Sequence, residues 1–191
     1  MASLVLEDRE SALTEVLEEI LYQSSDHLLE IEIQKLTFLI EATAVEKYGG
    51  RLTCAQFKPL MSGPFSEDID QTLHELKECR DVISKTKRRR EKPEKGYKKL
   101  HPSGIAAGKS KFISDSLALF QDSSVDDLIK YSKENYMYRE TPGGEKISFV
   151  KYHQALKQNE ADPLTGYWRE DNDATDQPKW IIPLDCGPEA L

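Results

Sequence analysis

Gly63-Pro64 interrupts the chain between two stretches of helical periodicity. Proline has no backbone N–H and its φ is fixed, so a regular helix does not pass through it. The segments on either side must be separate elements packed together. Before the break, Leu13, Val16, Leu17, Ile20 and Leu21 recur at three- and four-residue steps, which predicts an amphipathic helix over 11–22. Leu29, Ile33, Leu36, Ile40 and Thr43, widened by Leu39, predict a second helix from a cap at Asp26 to about Lys47, stopped by Tyr48-Gly49-Gly50. After the break, Ser66 is a good N-cap, and Glu67 and Asp68 put negative charge at the positive end of the helix dipole. Ile69, Leu73 and Leu76 supply its inward stripe to about Cys79.

A basic run follows. Between Lys85 and Lys99 there are nine lysines or arginines and two glutamates, a local charge of +7 in a chain of net charge −8. The remainder therefore carries −15, so the charge is placed rather than averaged. Val82 and Ile83 begin a short strand, and Tyr97 and Leu100 anchor its return partner. Pro93 and Gly96 lie between them, which predicts a β-hairpin with a long charged tip. Pro102-Ser103-Gly104 turns the chain out, and Ile105, Phe112, Ile113 and Leu117 predict a helix over 105–120. Helix, helix, capped helix, hairpin, helix is the order of a winged-helix domain, in which the hairpin wing lies along DNA phosphates. The fold class expected is mostly α with a small β-hairpin. Its organisation is a winged-helix-like domain over 1–120 with a wing at 82–100, a helical extension over 121–160, and an acidic irregular tail over 161–191.

Ile33-Gln34-Lys35-Leu36, the Phe57 to Gly63-Pro64-Phe65 turn, the Leu100-His101-Pro102-Ser103-Gly104 exit and the segment Asp127 to Tyr136 together resemble one prokaryotic and phage-associated group. These are small proteins of winged-helix type that overlap the Panacea-domain antitoxins. The resemblance covers roughly 28–145. A His followed by a Pro-Trp pair, usual late in Panacea domains, has no counterpart after Tyr138. The resemblance implies a non-enzymatic protein that binds DNA, a toxin, or both.

Further on, Ser124 and Asp127 approximate a capping box for a helix over 124–138, with Val125, Leu128, Ile129, Ser132 and Tyr136 on one face. Its aromatic end, Tyr131, Tyr136, Met137 and Tyr138, is the candidate protein-contact surface, since aromatics and methionine are enriched at interfaces. Lys146 to Leu156 fits either strand or helix. From Ala161 the chain has no period, and Trp168 and Trp180 argue for an extended arm that covers something, with the basic wing as one object it could screen.

Candidate chemistry is sparse. Ser103 to Ser110 has three residues between its glycines where a phosphate-binding P-loop needs four before Gly-Lys-Ser. Cys54, Cys79 and Cys186 make no C-x-x-C pair, with Cys54 and Cys79 expected as buried free thiols. The histidines 27, 74, 101 and 153 make no metal-ligand spacing. No catalytic residue, metal or cofactor is expected. No apolar run reaches the ~18 residues of a membrane span, and the N-terminus does not read as a signal peptide, so a cytoplasmic protein is expected.

The leading expectation is a DNA-binding regulator. Lys85, Lys87, Arg88, Arg89, Arg90, Lys92, Lys95, Lys98 and Lys99 would contact the backbone of double-stranded DNA. About five phosphate contacts give a log K against log salt slope of roughly −4 to −5. A homodimer would add a second half-site. The acids at the start of the 66–79 helix oppose base reading there. They favour the rival reading, a Panacea-like antitoxin or other module that binds a toxin or another protein without DNA.

Overall fold

The computed structural model describes residues 2–78, 82–89, 92–166 and 177–186. Among these the chain forms seven helices and two small antiparallel sheets. Cys79, Arg80, Arg90 and Trp168 lie outside the described residues.

The first helix, α1, spans Ala2–Gln23, longer than its apolar stripe requires. The second, α2 (Glu30–Tyr48), is the axis of the fold. Fourteen consecutive residues, Ile33 to Glu46, are buried, so it is enclosed on every side where one buried stripe is expected. One apolar cluster joins Ile33, Phe38 and Val45 to Phe57, Leu73, Phe149 and Tyr152. A second, on another side, joins Ile40 and Ala44 to Val16, Ile20, Phe112 and Ile113. Asp26 does not cap α2. It accepts the His27 N–H at 2.7 Å, while the Glu32 carboxylate accepts the Leu29 N–H at 2.7 Å at the helix start.

Past α2 the chain forms a tight ribbon of β2 (Lys58–Leu60) and β3 (Gly63–Phe65). Gly63 sits at φ +95°, a conformation glycine adopts without the Cβ penalty. A Cβ there would also lie 2.9 Å from Ser132 Oγ and 3.1 Å from Lys35 Cε. Helix α3 (Glu67–Leu76) starts as expected, with Ser66 Oγ accepting the Ile69 N–H at 3.4 Å and Ile69, Leu73 and Leu76 buried.

The hairpin is a full ladder rather than a short stem with a long tip. Strands β4 (Val82–Arg89) and β5 (Lys92–Lys99) pair from Val82 opposite Lys99 to Arg89 opposite Lys92. The two-residue strand β1 (Leu28–Leu29) adds to β5 opposite Tyr97 and Gly96. Pro93 lies beyond the reach of β1, where its missing N–H is tolerated.

Helix α4 spans Ala107–Ala118 and α5 Val125–Glu134. The capping box of α5 forms, with Ser124 N–H donating to Asp127 at 2.9 Å and Asp127 N–H donating to Ser124 Oγ at 3.2 Å. The helix does not run to 138. Asn135 is extended (φ −60°, ψ 140°) and its side chain caps a new short helix, α6 (Tyr136–Arg139), by accepting the Met137 N–H at 2.9 Å. Residues 149–157 are helical, as α7 (Phe149–Lys157), capped by Ser148.

The arm 177–186 crosses the body at a single two-bond bridge, Arg51 N–H to Ile182 O at 2.9 Å and Ile182 N–H to Arg51 O at 2.8 Å. Trp180 packs against both Tyr48 and Phe112, with ring centroids 5.3 and 5.8 Å away. This close approach depends on Gly50, where a Cβ would stand 2.8 Å from Ile182 O.

Candidate functional site

Buried polar groups normally need partners, and α2 carries several. Thr37 and Thr43 donate back to Ile33 O and Leu39 O of their own helix, and the others reach distant segments. Gln34 makes a two-bond clamp on Ser66, its amide donating to Ser66 O and its carbonyl accepting Ser66 N–H, both at 2.9 Å. Lys35 Nζ donates to Pro64 O at 2.5 Å. Burial, with the like charge of Arg89, lowers the Lys35 pKa to about 8. Nearly two turns on, Glu41 accepts Leu52 N–H and Thr53 N–H at 2.9 Å and the Thr53 hydroxyl at 2.5 Å, with Arg51 Nε 3.6 Å away. Glu46 accepts the Tyr152 hydroxyl at 2.5 Å, Leu164 N–H at 2.6 Å and Thr165 N–H at 2.9 Å. Burial pushes the Glu46 carboxyl up against these four-way donations, which include the Thr165 hydroxyl. Burial and the Glu46 charge together raise Tyr152.

The clamp fixes where α3 begins. With Ile69, Leu73 and Leu76 turned inward, Glu67, Asp68, Asp70, Gln71, His74, Glu75 and Glu78 are exposed. From Glu67 to Glu78 there are five acids and one lysine, a net charge of −4. Some of this charge is locally engaged. Lys58 sits 3.2 Å from Glu67, and Asp68 accepts the Gln56 N–H at 2.7 Å. Asp68, Gln71, Thr72 and Glu75 line one wall of a cleft of about 670 Å³, whose other walls include Arg51, Cys54, Phe149 and Cys186.

The hairpin's cations divide. Lys87 donates to His27 O at 2.6 Å and lies 3.3 Å from Asp26. The His27 N–H and the Lys87 charge hold the Asp26 carboxyl down at about 2. Lys98 donates to Ser24 O at 2.7 Å, Lys99 is buried and donates to Glu18 at 2.9 Å, and Arg89 lies 3.7 Å from Asp126. Lys85, Lys92 and Lys95 are exposed. The side chain of Arg88 and all of Arg90 lie outside the described residues. The C-terminal arm does not screen these charges where it is described, since residues 177–186 lie on Gly50, Arg51 and Phe112. The screening acids come from α1, the loop before β1, and α5.

The aromatic cluster also divides. Met137 is a core residue, 3% exposed, because the break at Asn135 turns α6 inward. Tyr136 stacks on Tyr152, and the Tyr138 hydroxyl donates to Leu60 O at 2.7 Å. Tyr131 is exposed and faces Phe120. Sequence reasoning missed Met61, which is 96% exposed at the β2–β3 turn, beside exposed Leu60. The signal was a Leu-Met pair directly before a Ser-Gly-Pro turn.

Residues 33–136 match the family described as Antitoxin SocA-like, Panacea domain. The chain belongs to this family. No curated protein and no solved structure matches it. The Panacea match begins at Ile33, the first buried residue of the fourteen on α2, and takes in the Gln34–Ser66 clamp, α3, the hairpin, α4 and α5. Two motifs that carried the resemblance in sequence, Gln34-Lys35 and Gly63-Pro64, meet in space through the bonds to Ser66 and Pro64. The Glu46 site joins the Panacea domain to the chain on its C-terminal side, since Tyr152, Leu164 and Thr165 lie beyond the match. Among the described residues no group of three or more His, Cys, Asp or Glu is placed to hold a metal, and no helix is long and apolar enough to cross a membrane.

Proposed function

We propose that this Panacea protein is an antitoxin-type regulator that acts in the cytoplasm by binding a partner protein directly, without catalysis, through the acidic face of α3. The observation that carries the reading is that face. It is rigidly seated by three buried apolar residues and the Ser66 clamp, and it exposes acids along the whole helix. Such a surface repels phosphate and attracts a basic protein. Exposed Tyr131, Leu60 and Met61 offer apolar contacts on the same domain.

The test starts from the tagged full-length chain isolated from its own host. A basic protein is expected to co-purify in stoichiometric amount, without nucleic-acid absorbance. Replacing Glu67, Asp70 and Glu75 together by lysine lowers affinity for that partner at least about tenfold, ~1.4 kcal/mol, while unfolding stays cooperative, with a thermal midpoint lowered only by the lost first-turn charges and the Lys58 contact. A partner held at full affinity by the triple variant removes α3 from the interface. Nucleic acid in place of protein rejects the reading.

Exposed Lys85, Lys92 and Lys95 favour a second reading, a winged-helix arrangement whose hairpin lies on DNA phosphates. With Lys87, Arg89, Lys98 and Lys99 held by the protein's own groups, those three lysines supply roughly −3 of a log K against log salt slope, to which Arg88 and Arg90 would add. Gel shifts on random duplex DNA at two salt concentrations measure it. Alanine at the three lysines flattens the slope if the hairpin carries the contact, and an unchanged slope removes it.

A further inference from the structure

The arm is registered to the body by the Arg51–Ile182 bridge and the seat of Trp180. That registration brings Cys186 to the cleft that Cys54 also lines. Cys186 Sγ is 3.8 Å from the carbonyl of Thr53, the residue before Cys54, and the two thiols are hydrogen-bonded to each other. Neither is in a disulfide, both are partly exposed, and the cleft of about 670 Å³ admits a small oxidant. A disulfide needs two thiols whose side chains already meet, since its sulfurs close to about 2 Å.

We propose that Cys54 and Cys186 are an oxidation site, forming a reversible disulfide that clips the arm onto the rim of the cleft. The reading goes beyond partner binding and does not depend on it. The oxidant is hydrogen peroxide. The hydrogen bond with Cys54 and burial hold the proton on Cys186, which leaves Cys54 as the sulfur that reacts, as its thiolate. That thiolate attacks a peroxide oxygen. The O–O bond breaks, hydroxide leaves, and Cys54 becomes a sulfenic acid. The Cys186 sulfur then displaces the sulfenic hydroxyl. The S–S bond forms, the S–O bond breaks, and the thiol proton leaves with the hydroxyl as water. In sum, two thiols lose two electrons and two protons, and one peroxide becomes two waters.

The full-length protein carrying Cys79→Ser, with the unsubstituted chain in parallel, is treated with hydrogen peroxide, alkylated and digested without reductant. The expected product is one cross-linked peptide pair holding Cys54 and Cys186, with an intact mass lower by two hydrogens and restored by dithiothreitol. Proteolytic cutting in 177–186 is expected to slow roughly tenfold on oxidation, and Cys186→Ser to abolish that protection. Sulfinic acid on either cysteine without the cross-link, disulfides only between molecules, or equal cutting before and after oxidation each overturn the proposal.

Discussion

Replacing Glu46 by alanine is expected to destabilise the fold by about 3–5 kcal/mol, the range for breaking a buried charged network. The carboxylate is fully buried and receives the Tyr152 hydroxyl and the backbone N–H groups of Leu164 and Thr165. Alanine leaves these donors dry and unpaired, and each buried orphan costs about 1–3 kcal/mol. Urea titration measures the loss. Glu46→Gln should retain part of the stability, since its carbonyl still accepts while its amide faces donors. Tyr152→Phe removes one donor together with its need and should cost less than either. A small loss for Glu46→Ala would mean that water replaces the carboxylate, and that α7 and residues 164–165 are not tied to α2 through it.

The second expectation concerns pH. Lys35 is 1% exposed, and burial lowers its pKa from 10.5 to about 8. Between those values the unfolded chain binds more protons than the folded one, so stability rises with pH across the window. Below about pH 8 the cost of the buried ammonium is fully present. The shift corresponds to at most about 3 kcal/mol. Lys35→Met keeps the length of the side chain and removes the titration. The wild type should therefore gain most of that amount relative to Lys35→Met between about pH 7 and pH 10. Other tyrosines and lysines titrate in both proteins and cancel in the comparison. An equal gap at both pH values would mean that Lys35 keeps its ordinary proton affinity in the fold.

The reach of each interaction decides how legible it is in the sequence. Ile69, Leu73 and Leu76 mark the inner face of α3 by spacing alone, and the Ser66 and Ser124 caps are contacts within one turn. Periodicity also places α4, while strand-start and turn residues place the hairpin but not the length of its ladder. Periodicity cannot place Lys35, Glu41 or Glu46, because a period assigns charged residues to solvent. Only the fold brings Pro64, Leu52 and Leu164 to them. The hairpin's charges are hidden from the sequence for the same reason. Lys87, Lys99 and Arg89 look free along the chain, and their acids, Asp26, Glu18 and Asp126, come from distant segments. The acidic face of α3 is legible because the helix is short, capped and cleanly amphipathic. The cleft beside it is not, since its walls come from five separate stretches of chain.

The polar side chains of α2 hold their loops mainly by main-chain atoms: Pro64 O, Ser66 O and N–H, and the N–H groups of Leu52, Thr53, Leu164 and Thr165. A peptide group is present whatever residue carries it. Outward-facing positions on those loops can therefore be exchanged without moving the loops themselves. One scaffold can then display many different surfaces while its interior stays the same.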